Sequence, residues 1–386
     1  MSLRGGTSPR GAKALTEISI ETPWRRDPEQ LRTHFESWFA HVLPEGAGPV
    51  VTSVSTSEGN GYSSETLLVD VEHGGDRTSG RELRRFAVRM TPTADSYPVF
   101  PDYDLELQYR CLEVVRDHTD VPVPDAPWFE ADPSWMGSPF LVMRRVDGVA
   151  PADIPPYVMA GWIHDATPEQ RVALERASVG VLAGLHTLDP SVHPLDFLDR
   201  PRYGASALDQ QLAYQREYFE WAREGVEYPV VERLFEWLHA NRPAVDGRTT
   251  ITWGDSRIGN ILYRDFRPVA VLDWEMAALG PAEVDVSWMI WMHRFFEDLA
   301  AHYGLPSLPD FLSRERVIEL YHERSGAKLH DMEWFEVLAA TRMAIITIRT
   351  SMRTIVFGQA EQPADPDDVI GFRHLLERML AGTYFG

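Results

Sequence analysis

Residues 251 to 275 read ITWGDSRIGNILYRDFRPVAVLDWE. An apolar approach leads to Gly254 and Asp255, Asn260 follows five residues on, and Asp273 ends a second apolar run, PVAVLD, eighteen residues after Asp255. Singly, these residues describe ordinary punctuation: an aspartate capping a turn, an Asx turn, an acid at the end of a strand. Together they supply a carboxylate for a reacting hydroxyl and two hard oxygen donors for a divalent cation, the set that phosphoryl transfer from a nucleotide requires.

The surroundings suit that chemistry. Upstream, residues 27 to 43 carry Leu31, Phe35, Trp38 and Phe39 at helical spacing, and Pro44 ends the run. VVTSVS, SSETLLVDV and RRFAVRM then alternate as three antiparallel strands separated by Gly-containing turns, and DYDLELQYRCLEVVRDH returns to helix spacing. Beyond residue 167 the pattern is mostly helical, interrupted at 251 to 275 by a loop and two short strands. The chain thus divides into a tail and helix (1–44), a small mixed lobe (45–147) and a large helical lobe (148–386), an α+β fold with two lobes around one cleft.

Composition narrows the function. A net charge of −21 opposes general nucleic-acid binding, which needs clustered cations to neutralise phosphates. The single cysteine, Cys111, excludes an internal disulfide framework or a thiolate metal cluster. No segment approaches the eighteen or so apolar residues of a membrane span and the N-terminus has no apolar leader core, so a cytoplasmic protein is expected.

The spacing D-x-x-x-x-N followed by a later Asp is that of protein-kinase catalytic loops. GD-x-x-x-x-NIL, AVLDWE and LGPAEVD (ending at Asp285) resemble the aminoglycoside phosphotransferase and choline-kinase-like family, and most of all its branch fused to acyl-CoA dehydrogenases. The likeness spans roughly residues 50 to 300. It implies a protein-kinase-like bilobal fold, ATP or GTP with Mg²⁺, and phosphorylation of a hydroxyl on a small molecule. On that pattern Asp255 is the base, Asn260 and Asp273 hold Mg²⁺, and Asp285 supports the loop. The family usually has His before Gly-Asp where this chain has Trp253, which leaves the local geometry around Asp255 open.

The same resemblance places a nucleotide. Arg89 stands where the family has Lys or Arg for the α and β phosphates, and its guanidinium keeps the charge and adds a bidentate fork. Glu106 and Gln108 compete to be its helical partner. EGNGYSSET gives a phosphate flap, in which Gly59 and Gly61 permit close backbone approach and Ser63 or Ser64 donates. FLVMRRVDG is the hinge, with the Arg144 carbonyl and Val146 N–H facing adenine and Met143 behind it. His186 reads as a structural hydrogen bonder, WMIWMH (288 to 293) as core, and Arg257 either as a phosphate or acceptor contact or as a solvated cation.

Three acceptor classes fit: aminoglycoside-like, macrolide-like or a hydroxylated acyl molecule. The rival function is a nucleotide-binding pseudokinase acting as a switch or scaffold, which has no need of Asp255, Asn260 and Asp273 together.

Overall fold

A computed structural model describes residues 26–56, 64–74 and 80–385. Helix α1 (Pro28–Val42) begins at Asp27, whose side chain accepts from the Glu29 N–H, and has Pro28 at its first position, where a missing N–H costs nothing. Its Leu31, Phe35, Trp38 and Phe39 are buried, as their spacing predicts. Each contributes roughly 1.5–3 kcal/mol by leaving water.

They pack on a five-stranded sheet of order β1-β2-β3-β5-β4, built from β1 (Val50–Thr56), β2 (Glu65–Gly74), β3 (Arg81–Met90), β4 (Trp128–Glu130) and β5 (Phe140–Arg144). All pairs are antiparallel. Trp38 meets Phe140 at 4.9 Å and Phe39 stacks on Phe86 at 5.2 Å, so helix and sheet share one aromatic core. Strand β4 has three half-buried residues, too short to show alternation in the sequence. Helix α2 (Leu105–His118) places Leu107, Cys111, Leu112 and Val115 in the larger core that fills the rest of the molecule.

The chain leaves the sheet through residues 145 to 149. Val149 exchanges backbone hydrogen bonds with Tyr263, at 2.9 and 3.0 Å, and the Asp147 carbonyl accepts from Arg264 at 2.6 Å. Gly148 permits this approach: a Cβ there would stand 2.9 Å from Leu262 Cβ and Val269 Cγ2. The exit from the small lobe is therefore stitched to the hairpin of β7 (Ile261–Arg264) and β8 (Arg267–Val271). Another pair, β6 (Thr249–Thr252) and β9 (Ala278–Pro281), brackets that hairpin. The sequence reading expected two short strands here. The other two, of four residues each, are mostly buried and carry no alternation.

Around these lie α3 (Pro168–Leu185), α4 (Ala207–Ala222), α5 (Pro229–Ala240), α6 (Glu283–Tyr303), α7 (Arg314–Ser325), α8 (Met332–Val356) and α9 (Arg373–Leu380). The bilobal α+β arrangement expected from the sequence is present. A strap after β3 crosses onto the helices: Tyr218 of α4 donates to the Val99 carbonyl at 2.7 Å, and Arg349 of α8 to that of Pro98 at 2.9 Å. Among the described residues, no helix is long and apolar enough to cross a membrane.

Candidate active site

The loop between β6 and β7 is held from below by one carboxylate. Asp285, in the first turn of α6 and fully buried, accepts from the backbone N–H of Trp253 at 2.7 Å and of Gly254 at 2.9 Å. Ser256 Oγ donates to the Asp285 carbonyl at 2.8 Å. His186 Nε2 lies 3.1 Å from the same carboxylate and its Nδ1 2.9 Å from the Tyr321 hydroxyl. Gly254 has φ +93°, and a side chain there would strike the Met276 carbonyl, so the turn into Asp255 requires glycine.

Asp255 emerges from this turn with both oxygens engaged. Oδ1 accepts from Trp288 Nε1 at 2.7 Å, and Oδ2 from Asn260 Nδ2 at 2.6 Å and Arg257 Nε at 3.2 Å. Asn260 Nδ2 also reaches the Asp255 carbonyl, at 3.1 Å. Its amide nitrogen is thus committed to Asp255, which orients the amide and leaves Oδ1 as a donor for a cation. Arg257 is tied to Asp153 by two bonds of 2.7 and 2.6 Å. Burial opposes its charge, but Asp255 and Asp153 outweigh it and raise its pKa. It is neither solvated nor free.

Asp273 adopts φ +63°, a strained conformation for a residue with a side chain. The Leu272 N–H donates to the Asn260 carbonyl at 2.9 Å, so the hairpin register brings Asp273 beside the Asp255–Asn260 pair. Trp253 secures this segment: its Nε1 donates to the Leu272 and Asp273 carbonyls at 2.8 and 3.1 Å. The indole standing in place of the expected histidine is a donor bridging the two halves of the site.

Arg89 of β3 reaches across the cleft, its Nη2 lying 2.7 Å from Asp273 Oδ1 and 2.7 Å from Glu275 Oε2. Burial works against the guanidinium, and the two carboxylates overcome it and raise its pKa. Its acidic partners therefore come from the large lobe, and the helical candidates serve otherwise. Glu106 is exposed, and Gln108 is buried with Nε2 unpartnered.

Of the remaining predicted contacts, Gly59, Gly61 and Ser63 lie outside the described residues, and Ser64 is half-buried just before β2. Met143 pairs with Ala87 in the sheet, the Arg144 N–H donates to the Asp125 carbonyl at 2.7 Å, and Val146 is half-buried where the chain leaves β5.

The sequence reading missed Trp288, Arg342 and Glu275. Trp288 sits within a stretch read as core, and it is core: 2% exposed, with only its indole N–H turned to Asp255. Arg342 of α8 is equally buried and donates to the Gly254 carbonyl at 3.0 Å. The acid two residues after Asp273 was the one available signal for Glu275.

Asn260 Oδ1 and the part-exposed Asp273 carboxylate suit a hard cation shared with a ligand. Among the described residues, no group of three His, Cys, Asp or Glu side chains could cage a metal alone. An open groove of about 690 Å³, lined by Gln170, Arg176, Phe266 and Arg324 among others, includes none of the site residues.

A family model described as the phosphotransferase enzyme family matches residues 59–314. Acyl-CoA dehydrogenase family member 11 of Pongo abelii is 31% identical over 281 residues, covering 68% of this chain and 33% of that protein. Family member 10 of Mus musculus is 28% identical over 207 residues, covering 53% and 18%. The chain spans a third or less of these relatives' lengths. Among solved structures, a Ralstonia eutropha protein provisionally described as an aminoglycoside phosphotransferase has a TM-score of 0.64 at 23% identity, covering 94% of this chain and 99% of that one. A macrolide 2'-phosphotransferase from Brachybacterium faecium gives 0.53 at 17%, covering 87% and 97%. An aminoglycoside phosphotransferase in a ternary complex with AMP-PNP and hygromycin B gives 0.53 at 15%, covering 90% and 99%. At these identities the likeness to solved structures shows the fold alone, a kinase-like arrangement of two lobes.

Proposed function

Because the chain belongs to the phosphotransferase enzyme family, we propose that it is a small-molecule kinase that moves the γ-phosphoryl group of ATP to a hydroxyl, with Asp255 as the base. The observation that carries this reading is the convergence at the lobe junction. Asn260 Nδ2 lies 2.6 Å from Asp255, its carbonyl is bonded to the residue before Asp273, and Arg89 reaches Asp273 from the opposite lobe at 2.7 Å.

The triphosphate occupies the cleft between the sheet and the catalytic loop. Asn260 and Asp273 would hold Mg²⁺, which when bound neutralises charge on the phosphates. Arg89 exchanges Asp273 for phosphate oxygens, and Glu275 keeps the guanidinium in place as it does so. Asp255 takes the proton of the acceptor hydroxyl while that oxygen attacks the γ-phosphorus and ADP leaves. Trp288, Asn260 and Arg257 fix the carboxylate's orientation before the acceptor arrives.

Among the three acceptor classes, we favour the hydroxylated acyl molecule. Helix α8 buries Arg342, Arg349 and Arg353. Arg349 is paired with Glu224 at 2.6 Å, whereas Arg342 lies directly behind the loop with no carboxylate among its hydrogen-bond partners in the described residues, a cation that an acidic acyl group suits better than a polycation does. The names of the curated relatives agree with this choice.

The test is ADP production from MgATP across a panel of hydroxylated acids, their thioesters, aminoglycosides and macrolides, for the native protein and Asp255→Asn. Turnover with an acyl acceptor, lost at least 10²-fold in the variant while nucleotide binding survives, supports the reading. Nucleotide binding with no turnover on any class would replace it with the scaffold reading.

A further inference from the structure

Arg342 is an expensive residue in an unexpected place. It is 2% exposed, and its one hydrogen bond among the described residues runs from Nη2 to the Gly254 carbonyl at 3.0 Å. Nε and Nη1 are buried without hydrogen-bond partners among the described residues. A guanidinium in this state loses most of its hydration and recovers little of it. Burial accordingly pushes its pKa down to about 10, against the opposing pull of Asp285 and Asp255. It remains a cation at neutral pH. A buried apolar side chain would serve packing better, so the charge has a use that packing does not explain.

Its surroundings define that use. The guanidinium carbon sits 4.6 Å from the centre of the Trp288 ring. A cation over an indole face fixes the ring and withdraws electron density from it, which makes the N–H at its edge a stronger donor. That N–H is bonded to Asp255 Oδ1 at 2.7 Å. The second contact, to the Gly254 carbonyl, holds the peptide immediately before Asp255. One cation therefore grips the base from two sides, through the backbone that precedes it and through the indole that caps it.

We propose that Arg342 and Trp288 act as one positioning unit for Asp255, with the charge of Arg342 transmitted through the indole ring. Neither residue touches the reacting atoms. Their part is to hold the carboxylate so that the open lone pair of Oδ1 meets the acceptor hydroxyl, Oδ2 being taken by Asn260 and Arg257; a displacement of about 1 Å there can cost about 10²-fold in rate. The proposal rests on the reading of Asp255 as the base, but the contact itself can be tested without any acceptor.

The protein labelled with ¹⁵N-tryptophan gives one indole resonance for each of its twelve tryptophans. The Trp288 resonance is the one absent from Trp288→Phe. Asp255→Asn moves it. In Arg342→Met, which keeps the aliphatic stem and removes the charge, the same resonance shifts upfield and exchanges faster with solvent, while Arg342→Lys restores most of its position. The other eleven resonances report that the fold is intact. In parallel, phosphate release from MgATP with water as the acceptor probe falls about tenfold to 10²-fold in kcat for Trp288→Phe and for Arg342→Met, with KM for MgATP unchanged. The double variant falls no further than the worse single one.

An unmoved Trp288 resonance in Arg342→Met, or additive losses in the double variant, would overturn the proposal. A protein that shows the coupled resonance shifts but no turnover with water or with any acceptor of the panel would keep the positioning unit and reject the kinase reading.

Discussion

Replacing Asp285 with Asn tests the scaffold under the catalytic loop. Oδ2 accepts the Trp253 N–H at 2.7 Å and faces His186 Nε2 at 3.1 Å, and Oδ1 accepts the Gly254 N–H at 2.9 Å. Asparagine retains a single oxygen. If that oxygen keeps Trp253, the new amide group points its hydrogens at the Gly254 N–H, and a charge-assisted bond becomes a donor facing a donor. Losing the bond costs about 1.5–3 kcal/mol, and burying the unsatisfied N–H costs about 1–3 kcal/mol more. The sum is roughly 2.5–6 kcal/mol, shared between global stability and local displacement of the loop. Urea unfolding is expected to show a loss of about 3 kcal/mol, and steady-state turnover a fall of about 10²-fold or more. KM for MgATP should rise as well, because Asn260 lies on the same loop and Trp253 ties it to Asp273. Near-native turnover and stability in Asp285→Asn would refute the claim that this carboxylate sets the loop.

Other consequences follow from the same contacts. Glu275→Gln removes one of the two carboxylates on Arg89, in a place where both partners are about 9% exposed. KM for MgATP is expected to rise about tenfold, whereas tighter binding would show that Glu275 competes with the phosphates. His293, buried against Tyr157, has its pKa lowered by burial from 6.5 to about 4, an effect the Leu308 backbone offsets only in part. The unfolded chain therefore takes up a proton first as pH falls, so stability is lost between about 6.5 and 4, by roughly 3 kcal/mol in total. His293→Gln should flatten the urea midpoint over that window; an unchanged slope would mean the group titrates normally. Arg342→Met removes a poorly hydrated charge, and its urea midpoint is expected to equal or exceed that of the native protein even as activity falls.

The motif at 253 to 285 was legible because its members are fixed by local spacing. A turn, a hairpin and a helix start bring Asp255, Asn260, Asp273 and Asp285 together with few degrees of freedom. The core stripe of α1 was legible for the same reason. What the sequence hid was of two kinds. Some partners are remote: Glu275 lies 186 residues from Arg89 and Arg342 lies 88 from Gly254, and no periodicity links them. Others have two characters. Trp288 satisfies a core pattern with its ring while its N–H serves Asp255, and Trp253 departs from the expected histidine yet still supplies a donor. Hydrophobic spacing records the ring and is silent on the nitrogen.

The central claim is that Asp255, Asn260 and Asp273 meet a divalent cation and a triphosphate in one cleft. The most direct measurement is a crystal structure with Mn²⁺ and a non-hydrolysable ATP analogue, with the metal located by its anomalous signal. The account predicts a peak about 2.1–2.2 Å from Asn260 Oδ1 and an Asp273 oxygen, with Arg89 moved from Asp273 to the phosphates and Asp255 facing the terminal one. A nucleotide seated elsewhere, or a metal bound without either residue, would contradict it.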